Sequence, residues 1–114
     1  MLMIKRGDIY RMNCAKRTDS HIIYGERPVI VVSNDTANRF SPVISVVPVT
    51  SRKRKLLPTH VAVEGYGLAE PSTVLTEQVL SVNKTDLLDK IGTLAKTDEM
   101  LKIDRCLCIQ FGVA

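Results

Sequence analysis

The chain has 114 residues, 45% of them hydrophobic and 25% charged, and a formal net charge of +4. That length suits one domain, spanning 1–114, and the composition excludes a wholly disordered chain. No apolar run approaches the ~18 residues of a bilayer span. The start, Met1-Leu2-Met3-Ile4-Lys5-Arg6, reverses the basic-then-apolar order of a signal peptide, so a cytoplasmic protein is expected. Cys14, Cys106 and Cys108 lack the Cys-x-x-Cys spacing of a zinc site and read as reduced, mostly buried thiols. There is no Gly-x-x-x-x-Gly-Lys and no Gly-x-Ser-x-Gly, and His21 and His60 stand far apart. No metal or cofactor is expected.

In chain order the pattern is strand after strand, then one helix. Gly7 to Cys14 alternates and reads as a first strand. The polar stretch Ala15 to Glu26 is long for a connection in a small domain, and long loops are often functional. Pro28 to Val32 is a β-branched run, expected to be buried on both faces. Thr36 to Phe40 allows at most one helical turn. Val43 to Val49 is a second β-branched run, and Pro48 places its end at a sheet edge or bulge. Thr59 to Glu64 and Thr73 to Val82 read as further strands around a Gly65-Tyr66-Gly67 turn. Asn83 to Asp86 is a turn or short helical start, and Ile91 to Leu94 a last short strand.

Thr97 is a helix N-cap, followed by Asp98 and Glu99 where the helix dipole favours negative charge. Met100, Ile103, Leu107, Phe111 and Ala114 form one apolar face. Leu101, Cys108 and Ile109 widen it, which predicts that part of the helix meets another chain. Five to seven short strands with one terminal helix predict a mainly β fold, a small, partly open barrel.

Charge is unevenly placed. Residues 1–60 hold eleven Lys/Arg against four Asp/Glu, a net +7, and residues 61–114 hold five against eight, a net −3. The densest patch is Arg52-Lys53-Arg54-Lys55, which suits a phosphate backbone. Tyr10, Tyr24, Phe40, Tyr66 and Phe111 are too few for a base-stacking sheet platform. If the two β-branched runs pair antiparallel through Ser33 to Pro42, Arg27 at the start of one lies beside Thr50 at the end of the other. A guanidinium, a hydroxyl and the basic loop then converge on one anion site.

The blocks Lys5-Arg6-Gly7-Asp8-Ile9-Tyr10, Arg27-Pro28-Val29-Ile30-Val31-Val32-Ser33-Asn34-Asp35 and Asn38-Arg39-Phe40-Ser41-Pro42 occur in that order. Val49-Thr50-Ser51, Leu57-Pro58-Thr59-His60-Val61, Leu75-Thr76-Glu77-Gln78-Val79 and Lys90-Ile91-Gly92-Thr93-Leu94 follow. In this the sequence resembles the MazF/PemK toxin family of bacterial toxin–antitoxin pairs over nearly its whole length. The resemblance implies an SH3-like barrel with a C-terminal helix, a homodimer, and a metal-independent endoribonuclease cutting single-stranded RNA at a short sequence. It implies Arg27 and Thr50 as the catalytic pair, and RNA contacts from Ser20, Ser51, the basic loop with Arg52, Lys53 and Arg54, and Thr76, Glu77 and Gln78. His21 is added to the RNA contacts, and His21 or Glu26, positions the family motif does not fix, offers an aid to proton transfer. The partner implied is an antitoxin whose acidic, disordered tail covers the basic groove.

The family's first loop is usually glycine-rich. Here Asp19-Ser20-His21-Ile22-Ile23-Tyr24-Gly25-Glu26 retains only Gly25 and carries three bulky side chains, which bears on Ser20's role and on sequence preference. Two other readings accompany the ribonuclease: a DNA gyrase poison on the same fold, and a non-catalytic RNA-binding regulator.

Overall fold

The computed structural model describes residues 3–113. Seven antiparallel strands and two helices follow in order: β1 (Asp8–Cys14), β2 (Gly25–Val31), α1 (Asp35–Phe40), β3 (Val43–Thr50), β4 (His60–Val63), β5 (Ser72–Leu75), β6 (Leu80–Asn83), β7 (Leu87–Thr93) and α2 (Asp98–Phe111). The strands lie in the order β4-β5-β3-β2-β1-β7, with β6 also paired to β3. The sheet stays open between β4 and β7, mainly β with a C-terminal helix. None of the described helices is long and apolar enough to cross a membrane.

The two β-branched runs form the centre because their residues serve two cores at once. Along β2, Val29 and Val31 face a cluster with Tyr10, Met12, Cys14, Ile44, Val46, Val82 and Leu87. Ile30, between them, faces the other cluster with Ile9, Val47, Val49, Val61, Val74 and, from α2, Met100, Ile103 and Cys106. The period of two along a strand divides a continuous apolar run between both faces.

Of the edge or bulge expected from Pro48, the edge is excluded, because β3 is paired along both sides. Its Val43 to Val46 pair with β6 and its Val49 and Thr50 with β5, while Pro48 lies opposite Val29 of β2. The proline falls where β3 passes from one neighbour to the other, so its missing donor interrupts neither of those two ladders. The single strand expected over Thr73 to Val82 is two, β5 and β6, separated by a 3₁₀ turn at Thr76–Gln78. The last strand is longer than Ile91 to Leu94 and begins at Leu87. α1 is six residues rather than a single turn, capped by the Asn34 side chain accepting from the Ala37 N–H.

α2 begins as its sequence predicts: the Thr97 hydroxyl accepts from the Met100 N–H at 3.2 Å. The buried stripe differs. Met100, Ile103 and Cys106 are buried, Leu107 only partly, and Phe111 is 61% exposed. The helix continues beyond the core it covers, and Leu101, Ile109, Phe111 and Val113 remain at the surface. Ala114, the last member of the expected face, lies outside the described residues. The cysteines are all free, with Cys14 and Cys106 buried and Cys108 half-buried.

Arg6 joins the first strand to both helices. Its N–H donates to Asp35 at 2.7 Å, its Nε to the Val32 carbonyl at 2.9 Å, and its Nη2 pairs with Asp104 of α2 at 2.7 Å. The Arg6 N–H, then the Asn38 side chain, hold the Asp35 carboxyl below the usual carboxylate range. A folded-state value below the unfolded one gives stability that is full above the unfolded value and lost as pH falls through the folded one. Thermal melting across the acid limb, below pH of about 4, is therefore expected to be less steeply pH-dependent in Asp35→Asn than in the native chain.

The Gly65-Tyr66-Gly67 turn packs its backbone against β7. A Cβ on Gly92 would stand 1.9 Å from the Tyr66 carbonyl oxygen, and one on Gly67 would stand 2.3 Å from the Ile91 carbonyl oxygen. Gly67 also has a φ of +89°, which side-chain-bearing residues rarely adopt. Gly92→Ala is expected to cost about 1–3 kcal/mol in denaturant unfolding, the cost of overpacking a close contact.

Candidate active site

The ladder between β2 and β3 runs from Val31↔Val46 to Val29↔Pro48. Continuing that register by one pair of residues on the same face sets Arg27 opposite Thr50. Both line a cavity of about 690 Å³. One wall is the loop from Ser20 to Tyr24 with Glu26; the facing wall is Ser51, Arg52 and Arg54; Leu68, Glu70, Ser72 and Gln78 complete it.

The two central side chains are held by backbone groups that leave their reactive hydrogens free. The Arg27 Nε donates to the Tyr24 carbonyl at 3.1 Å, and Nη2 donates to the same oxygen. Nη1 and the second Nη2 hydrogen remain for a ligand. Thr50 is 5% exposed, and its hydroxyl accepts from the Arg52 N–H at 3.2 Å. With a donor already on one lone pair, its own hydrogen is available to an anion.

Burial pulls the Arg27 guanidinium below arginine's ordinary range; Cys14 acts in the opposite direction, and the like charge of Arg54 lowers it further. Arg27 remains a cation. Its desolvation and its repulsion from Arg54 are both relieved by a bound anion. Burial pushes the Cys14 thiol up, against the pull of Arg27, so this side chain stays neutral beneath the guanidinium.

Of the remaining residues named from sequence, Ser20, His21, Ser51, Arg52, Arg54 and Gln78 line the same cavity. Ser20 also shapes its loop, accepting the Ile22 N–H at 3.0 Å. Lys53 does not line that cavity but an adjoining one of about 560 Å³, whose lining it shares with Ser51, Arg52 and Arg54.

Thr76 and Glu77 lie outside the cavity. Thr76 is fully buried, and its hydroxyl donates to the Thr59 carbonyl at 2.5 Å, so it fixes the 3₁₀ corner and is out of RNA's reach. Glu77 accepts from His60 Nε2 at 3.0 Å and from the Thr59 hydroxyl at 3.2 Å. The Leu57 N–H donates to His60 Nδ1 at 3.0 Å, which fixes the imidazole tautomer that donates to Glu77. Glu26 lines the cavity with its carboxylate ion-paired to Arg11.

The sequence gives no signal for three contributors. The Tyr24 carbonyl is a backbone group, and Glu70 and Ser72 reach the cavity only through the turn before β5. Among the described residues, no three His, Cys, Asp or Glu side chains cluster to hold a metal ion.

Known proteins resemble this chain over nearly its whole length. It is 39% identical over 116 aligned residues to the endoribonuclease EndoA of Bacillus subtilis (strain 168), covering 98% of this chain and 97% of that protein. A mycobacterial endoribonuclease, solved in complex with its cognate antitoxin, superposes with a TM-score of 0.80 at 27% identity, covering 97% of each chain. MazF of Deinococcus radiodurans shares the fold with a TM-score of 0.83 at 21% identity, covering 99% of this chain and all of that one. The family model of the PemK-like, MazF-like toxin of type II toxin–antitoxin systems matches residues 5–111. With that match spanning both central strands, the cavity between them and the terminal helix, the chain belongs to the PemK/MazF toxin family.

Proposed function

We propose that this toxin is an endoribonuclease that cleaves single-stranded RNA, messenger RNA included, in the cavity between Arg27 and Thr50. The observation that carries the reading is the pairing of a partly desolvated guanidinium with a free hydroxyl hydrogen in one cavity, rimmed by Arg52 and Arg54. RNA supplies its own nucleophile. The 2′-oxygen attacks the adjacent phosphorus and the bond to the 5′-oxygen breaks, leaving a 2′,3′-cyclic phosphate and a 5′-hydroxyl. The 2′-hydroxyl proton passes to a base on this wall, His21 or Glu26, and a proton is returned to the departing 5′-oxygen.

The protein's part is to hold the linkage and stabilise charge as it gathers on the five-coordinate phosphate. Arg27, planar and permanently charged, faces the non-bridging oxygens. Thr50 donates to one of them. Ser20, His21, Ser51, Arg52, Arg54 and Gln78 hold the flanking nucleotides, with Lys53 reaching phosphate from the adjoining cavity. No metal takes part in this scheme.

The same rim suits an acidic, disordered antitoxin tail, since a carboxylate-rich segment meets the cations that phosphate would meet. The chain acts in the cytoplasm as a homodimer, supported by the exposed Leu101, Ile109 and Phe111 of α2.

Primer extension on a long RNA, with chelator present, tests the reaction. Arg27→Ala and Thr50→Ala are each expected to slow cutting by at least ~100-fold, a typical loss on removing a transition-state donor, with unchanged thermal melting. Full cutting by both variants overturns the mechanism, and a retarded but uncut RNA with the native protein favours the regulator. Each of Arg52→Ala and Arg54→Ala should lower the slope of log affinity against log salt by about 0.7, the single-strand value per phosphate contact, in filter binding.

A further inference from the structure

The two walls of the cavity come from segments distant in sequence, and both are fastened at one place. Ser51 to Pro58 lies outside every helix and strand and is exposed throughout. The start of this basic loop is held by the Thr50 hydroxyl, which accepts the Arg52 N–H. Its end is held by His60. The Leu57 N–H donates to His60 Nδ1 at 3.0 Å, and the His60 N–H donates back to the Leu57 carbonyl at 3.0 Å. The opposite wall hangs on the 3₁₀ corner. There the Ile23 N–H donates to Gln78 Oε1 at 2.8 Å, and the next carbonyl along, at Tyr24, seats the Arg27 guanidinium.

One side-chain couple joins these two fastenings. The His60 side chain is 2% exposed, and its Nε2 meets Glu77 Oε2 at 3.0 Å. Glu77 Oε1 accepts from the Thr59 hydroxyl. A carboxylate only accepts, so the hydrogen of the ring sits on Nε2. A neutral imidazole with its hydrogen there has a bare Nδ1, which the Leu57 N–H requires. The Glu77 carboxylate therefore provides the end of the basic loop with its acceptor, and its own backbone carries Gln78.

We propose that His60 and Glu77 are a positioning pair for RNA cleavage. Through Nδ1 they set the basic loop at one wall, and through the corner they set the seat of Arg27 at the other. The inference rests on the ribonuclease reading. Neither residue lines the cavity, so both act through others. The two effects differ in kind. The basic loop with Arg52 and Arg54 governs how tightly phosphate is held, whereas the seat of Arg27 governs how well charge is met as it gathers on phosphorus.

Nitrogen NMR of the imidazole in the native chain reads the tautomer without any substitution. A hydrogen on Nε2 alone is expected, and a hydrogen on Nδ1 overturns the pair. Two variants then separate its halves. His60→Gln keeps an N–H for Glu77 and loses the acceptor for Leu57; His60→Asn keeps an acceptor at the Nδ1 position and loses the donor to Glu77. On a short RNA carrying the site mapped by primer extension, His60→Gln should raise KM about tenfold with kcat kept, the worth of one anchoring hydrogen bond. His60→Asn should lower kcat by about 10- to 100-fold with KM kept, as a small misplacement of a catalytic group does. Equal loss of both constants in both variants, in step with their melting temperatures, overturns the pair and leaves a histidine that only supports the fold. Amide hydrogen exchange, which needs no RNA, should quicken at Leu57 in His60→Gln and at Ile23 in His60→Asn. Unchanged exchange at both amides, with the native protein still cutting RNA, overturns the inference and leaves the ribonuclease standing. The divided exchange pattern with no cutting by the native protein upholds the link between the walls and overturns the ribonuclease.

Discussion

The antiparallel pairing of β2 with β3 is the constraint on which the site depends. Each strand is a β-branched run buried on both faces, and each divides its side chains between two cores. A slip of one residue would exchange the two sets and leave neither core filled. The register is therefore set by packing far from the cavity, and it is the register that brings the start of β2 beside the end of β3. The guanidinium and the hydroxyl need no direct bond to each other, because the sheet holds the backbone of both.

Around that pair the protein uses backbone groups as fixtures. A carbonyl at Tyr24 holds Arg27, and an N–H at Arg52 holds Thr50. The first fixture belongs to the loop after β1, which is in turn tied to the 3₁₀ corner by Gln78. Behind Gln78, Thr76 is bonded to Thr59, and Glu77 to Thr59 and His60. Residues outside the cavity thus position those that line it.

The strands that build the centre were legible because β-branched runs and their connecting length constrain pairing strongly. Arg27 and Thr50 could be placed together on that ground before any family likeness was considered. The 3₁₀ corner at Thr76–Gln78 was not legible. It interrupts a run from Thr73 to Val82 without glycine or proline, so periodicity reads one strand through it. The misplacement of Thr76 and Glu77 follows directly: along a strand they would alternate toward a groove, whereas at a corner they turn inward and bond to β4 and its approach. In α2 the apolar spacing is regular to Phe111, and only the extent of the neighbouring strands determines where burial stops.

The change of neighbour along β3 has a mechanical consequence. Between its ladders with β6 and β5 the strand has a seam at Val47 and Pro48, where only β2 pairs with it. Fraying that begins at β6 reaches that seam and finds no further rung on its own side of β3. The segment ending at Thr50 keeps its own rungs with β5, so breathing at one end of the sheet is insulated from the end that borders the cavity.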